Sequence, residues 1–176
     1  MLEYLRDVIF LFISLFVPLM AFAQSPPYEP SSTTELSKKV AAAESGDIQS
    51  QIDLGWAYML GRGVRKDDTA AFEWFRKAAE QGNPKAEALL GSLYGEGRGV
   101  TQNDIEAVKW YRKAAESGDP YAQFGLARMY GKGQGVKRDD IEAMKWLRKS
   151  AEQGNPQAKK VLENFESKAK DGSRQP

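Results

Sequence analysis

A chain of 176 residues has the size of one domain, and 41% hydrophobic residues are enough for a core. Lys plus Arg total 25 and Asp plus Glu 24, so the net charge of +1 lacks the basic excess of a nucleic-acid or membrane-surface binder. The sequence contains neither Cys nor His, which excludes disulfides, thiol nucleophiles, imidazole bases and the commonest zinc ligands.

The first element is an apolar run, VIFLFISLFVPLMAF, broken only by Ser14 and Pro18. It ends in AFAQ, which puts Ala21 and Ala23 in a small-x-small cleavage pattern. Residues 1–23 are therefore predicted to be a secretory signal peptide cut after Ala23, giving a secreted or periplasmic protein. The run is shorter than the roughly 20 residues a spanning helix needs. Glu3 and Asp7 offset Arg6 ahead of it, so an uncleaved N-terminal membrane anchor is the alternative. No Cys follows the run to take a lipid. Residues 24–34, QSPPYEPSSTT, are Pro- and Ser-rich and read as a flexible linker.

From Asp47 onward the chain repeats itself every 36 residues, in units Asp47–Gly82, Asn83–Gly118 and Asp119–Gly154. A fixed period of this length marks a stacked-repeat architecture. Unit two opens on Asn83-Pro84 and unit three on Asp119-Pro120, a capping side chain followed by proline where no donor is needed. Unit one keeps the cap, Asp47, without the proline. A first helix, A, of about eleven residues is predicted in each, Pro84–Tyr94 in unit two, with Ala86, Leu90, Leu93 and Tyr94 on one face. The glycine loops GEGRGV and GKGQGV end this helix, and Val64, Val100 and Val136 anchor the loops. A second helix, B, starts at the caps Asp67, Asn103 and Asp139 and runs to Gly82, Gly118 and Gly154. Glu106 and Glu142 stand where a capping box would put them. The buried stripe of B in unit two is expected to be Ala107, Trp110, Tyr111, Ala114 and Ala115, with Trp74, Trp110 and Trp146 as core pins.

The pattern A-x-x-x-L-G-x-x-Y-x-x-G-x-G-V, followed by A-x-x-W-x-x-K-A-A-x-x-G, resembles the Sel-1-like repeat family, relatives of the tetratricopeptide repeats. Unit two carries every position of it, from Ala86 to Gly118; unit three departs at Ala127 and Ser150, and unit one at Ser50. The resemblance implies an all-α, right-handed solenoid of stacked antiparallel helix pairs, with three full repeats. It also accounts for the edges. Residues 35–46 align with a B helix and 155–166 with an A helix, as capping helices of a solenoid spanning 35–166, and residues 167–176 are left as a disordered tail.

The resemblance further implies an interaction scaffold or adaptor that binds a protein or peptide on the concave face lined by A helices, with a regulator of a membrane sensor or of envelope assembly as an alternative. Some cysteine-rich relatives have been described as binding or hydrolysing β-lactams. This chain lacks the cysteines, and its one S-x-x-K, Ser167 to Lys170, lacks the companion motifs. No enzymatic activity, cofactor, metal or nucleic-acid partner is expected, and the oligomeric state is left open. The candidate binding residues come from the residues themselves. About 100° around helix A from the structural stripe lie the positions of Lys85, Leu89, Ser92 and Glu96. They read Gln49, Asp53, Trp56 and Leu60 in unit one and Tyr121, Gly125, Arg128 and Lys132 in unit three. Change at a fixed address amid repeated letters is the mark of a recognition face; unconstrained solvent positions would also vary. The expected partner contacts are Asp53, Trp56, Lys85, Leu89, Ser92, Tyr121 and Arg128.

Overall fold

The computed structural model describes residues 31–172, and every regular element among them is a helix. The helices are α1 (Ser31–Glu44), α2 (Ile48–Leu60), α3 (Asp68–Glu80), α4 (Pro84–Glu96), α5 (Asp104–Glu116), α6 (Pro120–Lys132), α7 (Asp140–Glu152) and α8 (Pro156–Gly172). The stacked array begins at Ser37, within α1. Within the array α2/α3, α4/α5 and α6/α7 are the three A/B pairs of an α-solenoid. The signal-peptide reading and linker residues 24–30 lie outside the described residues, whereas residues 31–34, expected as linker, are the first turn of α1.

The caps act as the sequence predicts. Asn83 accepts from the Ala86 amide at 3.1 Å and Asp119 from that of Ala122 at 2.8 Å, while Asn103 takes the amides of both Ile105 and Glu106. Three expectations need correction. The A helices run 13 residues rather than eleven, because they continue to the left-handed glycines Gly61, Gly97 and Gly133. The capping boxes do not close: the Asn103 amide donates to the Tyr94 carbonyl at 2.9 Å and that of Asp139 to Tyr130 at 3.1 Å. With no donor left to claim, Glu106 and Glu142 accept from Lys109 and Lys145 instead. Finally, α8 continues past residue 166 through Gly172, into the segment expected to be a disordered tail.

The second loop glycine has a different task from the first. A Cβ on Gly99 would lie 1.9 Å from the Asp68 carbonyl oxygen, and one on Gly135 2.1 Å from that of Asp104. Each loop therefore rests on the N-terminus of the preceding unit's B helix, closer than any side chain allows. Arg98 adds an ion pair to Asp68 at 3.1 Å across the same joint.

Packing between A and B helices is set by a glycine and a ring. A Cβ on Gly55 would meet Phe75 at 2.5 Å, and one on Gly91 would meet Tyr111 at 2.7 Å. In unit three, Ala127 and Leu147 occupy these two addresses and share one buried cluster. The larger small residue goes with the smaller large one, so this departure from the family pattern conserves volume. Ser150, the other departure, is fully buried and donates to the Pro120 carbonyl at 2.6 Å. Of the expected B stripe, Ala107, Ala114 and Ala115 are buried and Val108 joins them. The three Trp are not fully buried, although Trp110 and Trp146 pack against the core clusters as expected. All three are half-buried, each with the Lys three residues on over its ring, at 3.9 Å for Lys77 on Trp74 and 4.7 Å for Lys149 on Trp146.

One further address recurs: Gln51, Glu87 and Gln123, all buried. Gln51 donates to the Ala43 carbonyl at 3.0 Å and accepts from Gln81 at 2.8 Å. Gln123 repeats this with Ala115 at 3.2 Å and Gln153 at 2.8 Å. In unit two a carboxylate stands at this address, and Ser117 replaces the second Gln. Glu87 Oε1 pairs with Lys113 at 2.8 Å, while its Oε2 is buried with no donor. The pairing draws Lys113 out to 5.4 Å from the Trp110 ring.

Candidate functional site

The A helices α4 and α6 lie against each other. Their mutual approach is made by Tyr111 of α5, whose ring touches the Cβ directions of both Gly91 and Gly125. Gly125, one of the variable positions, is thus buried to receive this ring rather than to meet a partner. The Tyr111 hydroxyl emerges at Ser92, close to Arg128 and Glu96, and burial raises the phenol above its ordinary range.

The expected contact residues share the A-helix side but not one environment. Asp53 is half-buried and its charge is already met, by Lys39 at 3.3 Å, with Gln49 donating to it at 2.8 Å. Trp56 stands edge-on to Phe75, ring centres 5.5 Å apart, and keeps 38% of its surface exposed. Leu89 is half-buried against the core cluster that contains Phe75 and Leu90. Ser92 donates to Glu96 at 2.6 Å. Lys85 and Arg128 are exposed, and Tyr121 is 62% exposed. Leu60, one turn beyond Trp56, adds an exposed apolar surface.

Among the described residues no cluster of acidic side chains could hold a metal ion. Ser167 donates to the Asn164 carbonyl at 3.1 Å, as a helical serine does. An open cleft of about 490 Å³ lies between α5 and α7, lined by Gln123, Gln153, Trp146 and Lys149 among others. Its floor is the structural Gln123–Gln153 bridge, which the sequence reading missed; the signal was an amide recurring at one address in units one and three. None of the described helices is long and apolar enough to cross a membrane.

The Sel1 repeat model matches residues 48–83, 84–119 and 120–155, more than half of the chain. The chain belongs to the Sel1 repeat family. A Sel1 repeat protein from Oxalobacter formigenes is 42% identical, with 74% of this chain and 98% of that one covered and a TM-score of 0.66. The protective antigen c5321 of uropathogenic Escherichia coli, which displays this fold, is 39% identical over 79% of this chain and 30% of its own, with a TM-score of 0.74. The secretory immunoglobulin A-binding protein EsiB of Escherichia coli O6:H1 is 42% identical over 60 residues, 34% of this chain and only 12% of its own length. Helicobacter pylori cysteine rich protein B, 20% identical with a TM-score of 0.58, shares the fold alone. The right-handed solenoid of three repeats is therefore the architecture of this chain. Sel1 repeat proteins are generally protein-interaction scaffolds and typically non-catalytic.

Proposed function

We propose that this chain is an exported scaffold or adaptor that captures a protein or peptide on the concave side formed by α2, α4 and α6. One observation carries the reading. The structural letters of the A helices repeat, yet the stripe beside them changes in every unit and leaves Trp56, Leu60 and Tyr121 exposed. Large aromatics left in water are the usual anchors of an interface. The immunoglobulin-binding description of EsiB belongs to that protein, and it supports the general idea of a protein ligand here. Export rests on the apolar run and AFAQ at residues 8–24.

Crosslinking and affinity capture in the producing cells tests both parts. The captured mature chain is expected to begin at Gln24. Tyr121→Ala and Arg128→Ala should each weaken capture by ~1 kcal/mol or more with the melt unchanged. Trp56→Ala should weaken capture too, but it also strips a ring contact from Phe75, so its melt shifts down. Normal capture by all three variants would move the interface to the B-helix side.

A further inference from the structure

The two ends of the A-helix side offer different chemistry. At α2 the surface is carbon: Trp56 is 38% and Leu60 50% exposed, and the neighbouring Asp53 is neutralised by Lys39. At α6 it is cationic. Arg128 and Lys132 stand one turn apart, both exposed, with no ion-pair partner among the described residues. Lys85 on α4 is exposed and unpaired in the same sense. The stripe's other anion, Glu96, is engaged too, accepting from Ser92 at 2.6 Å and lying 4.0 Å from Arg98. The Tyr111 hydroxyl, bonded to Ser92, lies within the field of Arg128, and Tyr121 stands exposed at the far end of α6.

We propose that this face takes an acidic peptide segment whose carboxylates meet Arg128 and Lys132 while a bulky apolar side chain of the same segment packs on Trp56 and Leu60. The proposal rests on the A-helix reading above and names its ligand class. Guanidinium is suited to the task, since its planar fork pairs with carboxylate in two parallel hydrogen bonds. Packed helices lie roughly 8–10 Å apart, as α4 and α6 do, and α2 packs less closely on α4, so α2 and α6 are separated by about 20 Å or more. An extended chain needs at least about six residues to cover that, at about 3.3 Å each. A nucleic acid is the weaker fit, because three scattered cations beside an engaged carboxylate make no phosphate track.

Panning a displayed library of random twelve-residue peptides against the mature protein tests this, with fluorescence anisotropy on the enriched peptides. The expected peptides carry Asp or Glu about six or more positions from Leu, Phe or Trp. Their affinity should fall at least tenfold in the Arg128→Glu/Lys132→Glu double variant, and also when salt is raised from low to high concentration. Both side chains are exposed and unpaired, so the double variant should melt like the parent. Neutral or basic peptides lost on Tyr121→Ala but indifferent to the charge reversal would overturn this inference and leave the A-helix reading standing. Peptides indifferent to every one of these changes would overturn both. Failure to enrich any peptide would overturn the inference alone, since a folded partner could still dock. Binding of a labelled oligouridylate as tightly as the best peptide would replace the acidic peptide with RNA.

Discussion

Glu87 should be replaceable at a gain. Its side chain is 1% exposed, one oxygen is met by Lys113 at 2.8 Å, and the other has no donor. A buried acceptor left unsatisfied costs about 1–3 kcal/mol, and more when the group is charged. Gln51 and Gln123 show what an amide does at this address: its NH₂ reaches the carbonyl of Ala43 or Ala115. Glu87→Gln would supply that donor toward Ala79, adding a bond worth about 0.5–1.5 kcal/mol net and removing the orphan. The loss is the pairing with Lys113, whose own side chain is 53% exposed, so it forfeits about 1 kcal/mol or less. The balance favours the amide by about 1–3 kcal/mol, a rise in melting temperature of roughly 2–4 °C per kcal/mol. Adding Ser117→Gln to this variant would restore the second bridge seen at Gln81 and Gln153 and raise the melt again. Lys113→Met in the parent should cost about 3–5 kcal/mol by leaving a buried charge alone, and far less in the Glu87→Gln background. Urea or thermal melts of the parent, the two single variants and the double variant complete the cycle. A Glu87→Gln variant less stable than the parent would refute the reasoning and show that the Lys113 pair outweighs the orphaned oxygen.

Gly99→Ala and Gly63→Ala differ only in surroundings. Both hold a left-handed φ, but the first would collide with the Asp68 carbonyl and the second meets nothing within 4 Å, so denaturant melts should show Gly99→Ala losing several-fold more stability. Leu147→Tyr should destabilise by ~1–3 kcal/mol through overpacking against Ala127, and Ala127→Gly should recover most of it in the double variant; additive effects in the cycle would show that the two addresses are independent. Tyr111 is held above the ordinary phenol value of 10.0 by burial, so the unfolded chain loses that proton first as pH rises. The stability it contributes is whole below about pH 10 and disappears as pH climbs through the folded value. Melts from pH 8 to 11 should fall less steeply in Tyr111→Phe than in the parent.

The period, the caps and the glycine stops were legible because they obey local rules: Asn83 and Asp119 bond to amides three residues on, and Gly97 turns the chain by its own φ. The features that escaped depend on partners outside the helix that carries them. Nothing within α5 says that the Asn103 amide is already taken by Tyr94, so Glu106 reads as half of a capping box. The pairing of Gly91 with Tyr111, and of Ala127 with Leu147, is visible only once A and B helices face each other. The variable stripe was readable as a set of addresses. Its division into a neutralised end at Asp53, a stacked ring at Trp56 and unpaired cations at Arg128 and Lys132 needed the neighbours that the fold brings together.

The repeated amide tie bears on how the array carries load. Each such tie joins adjoining units, so a pull on the two ends passes from joint to joint, as through springs in series. In such a chain the softest spring takes most of the stretch. The joint of α1 with α2 is held by Gln51 to Ala43, and that of α5 with α6 by Gln123 to Ala115. The joint of α3 with α4 has Glu87 there, whose second oxygen meets no donor and cannot make such a bond. Of these three joints, that one should take the most bending and extension, between the apolar end of the A-helix side and its cationic end, and so change the distance a bound segment has to span.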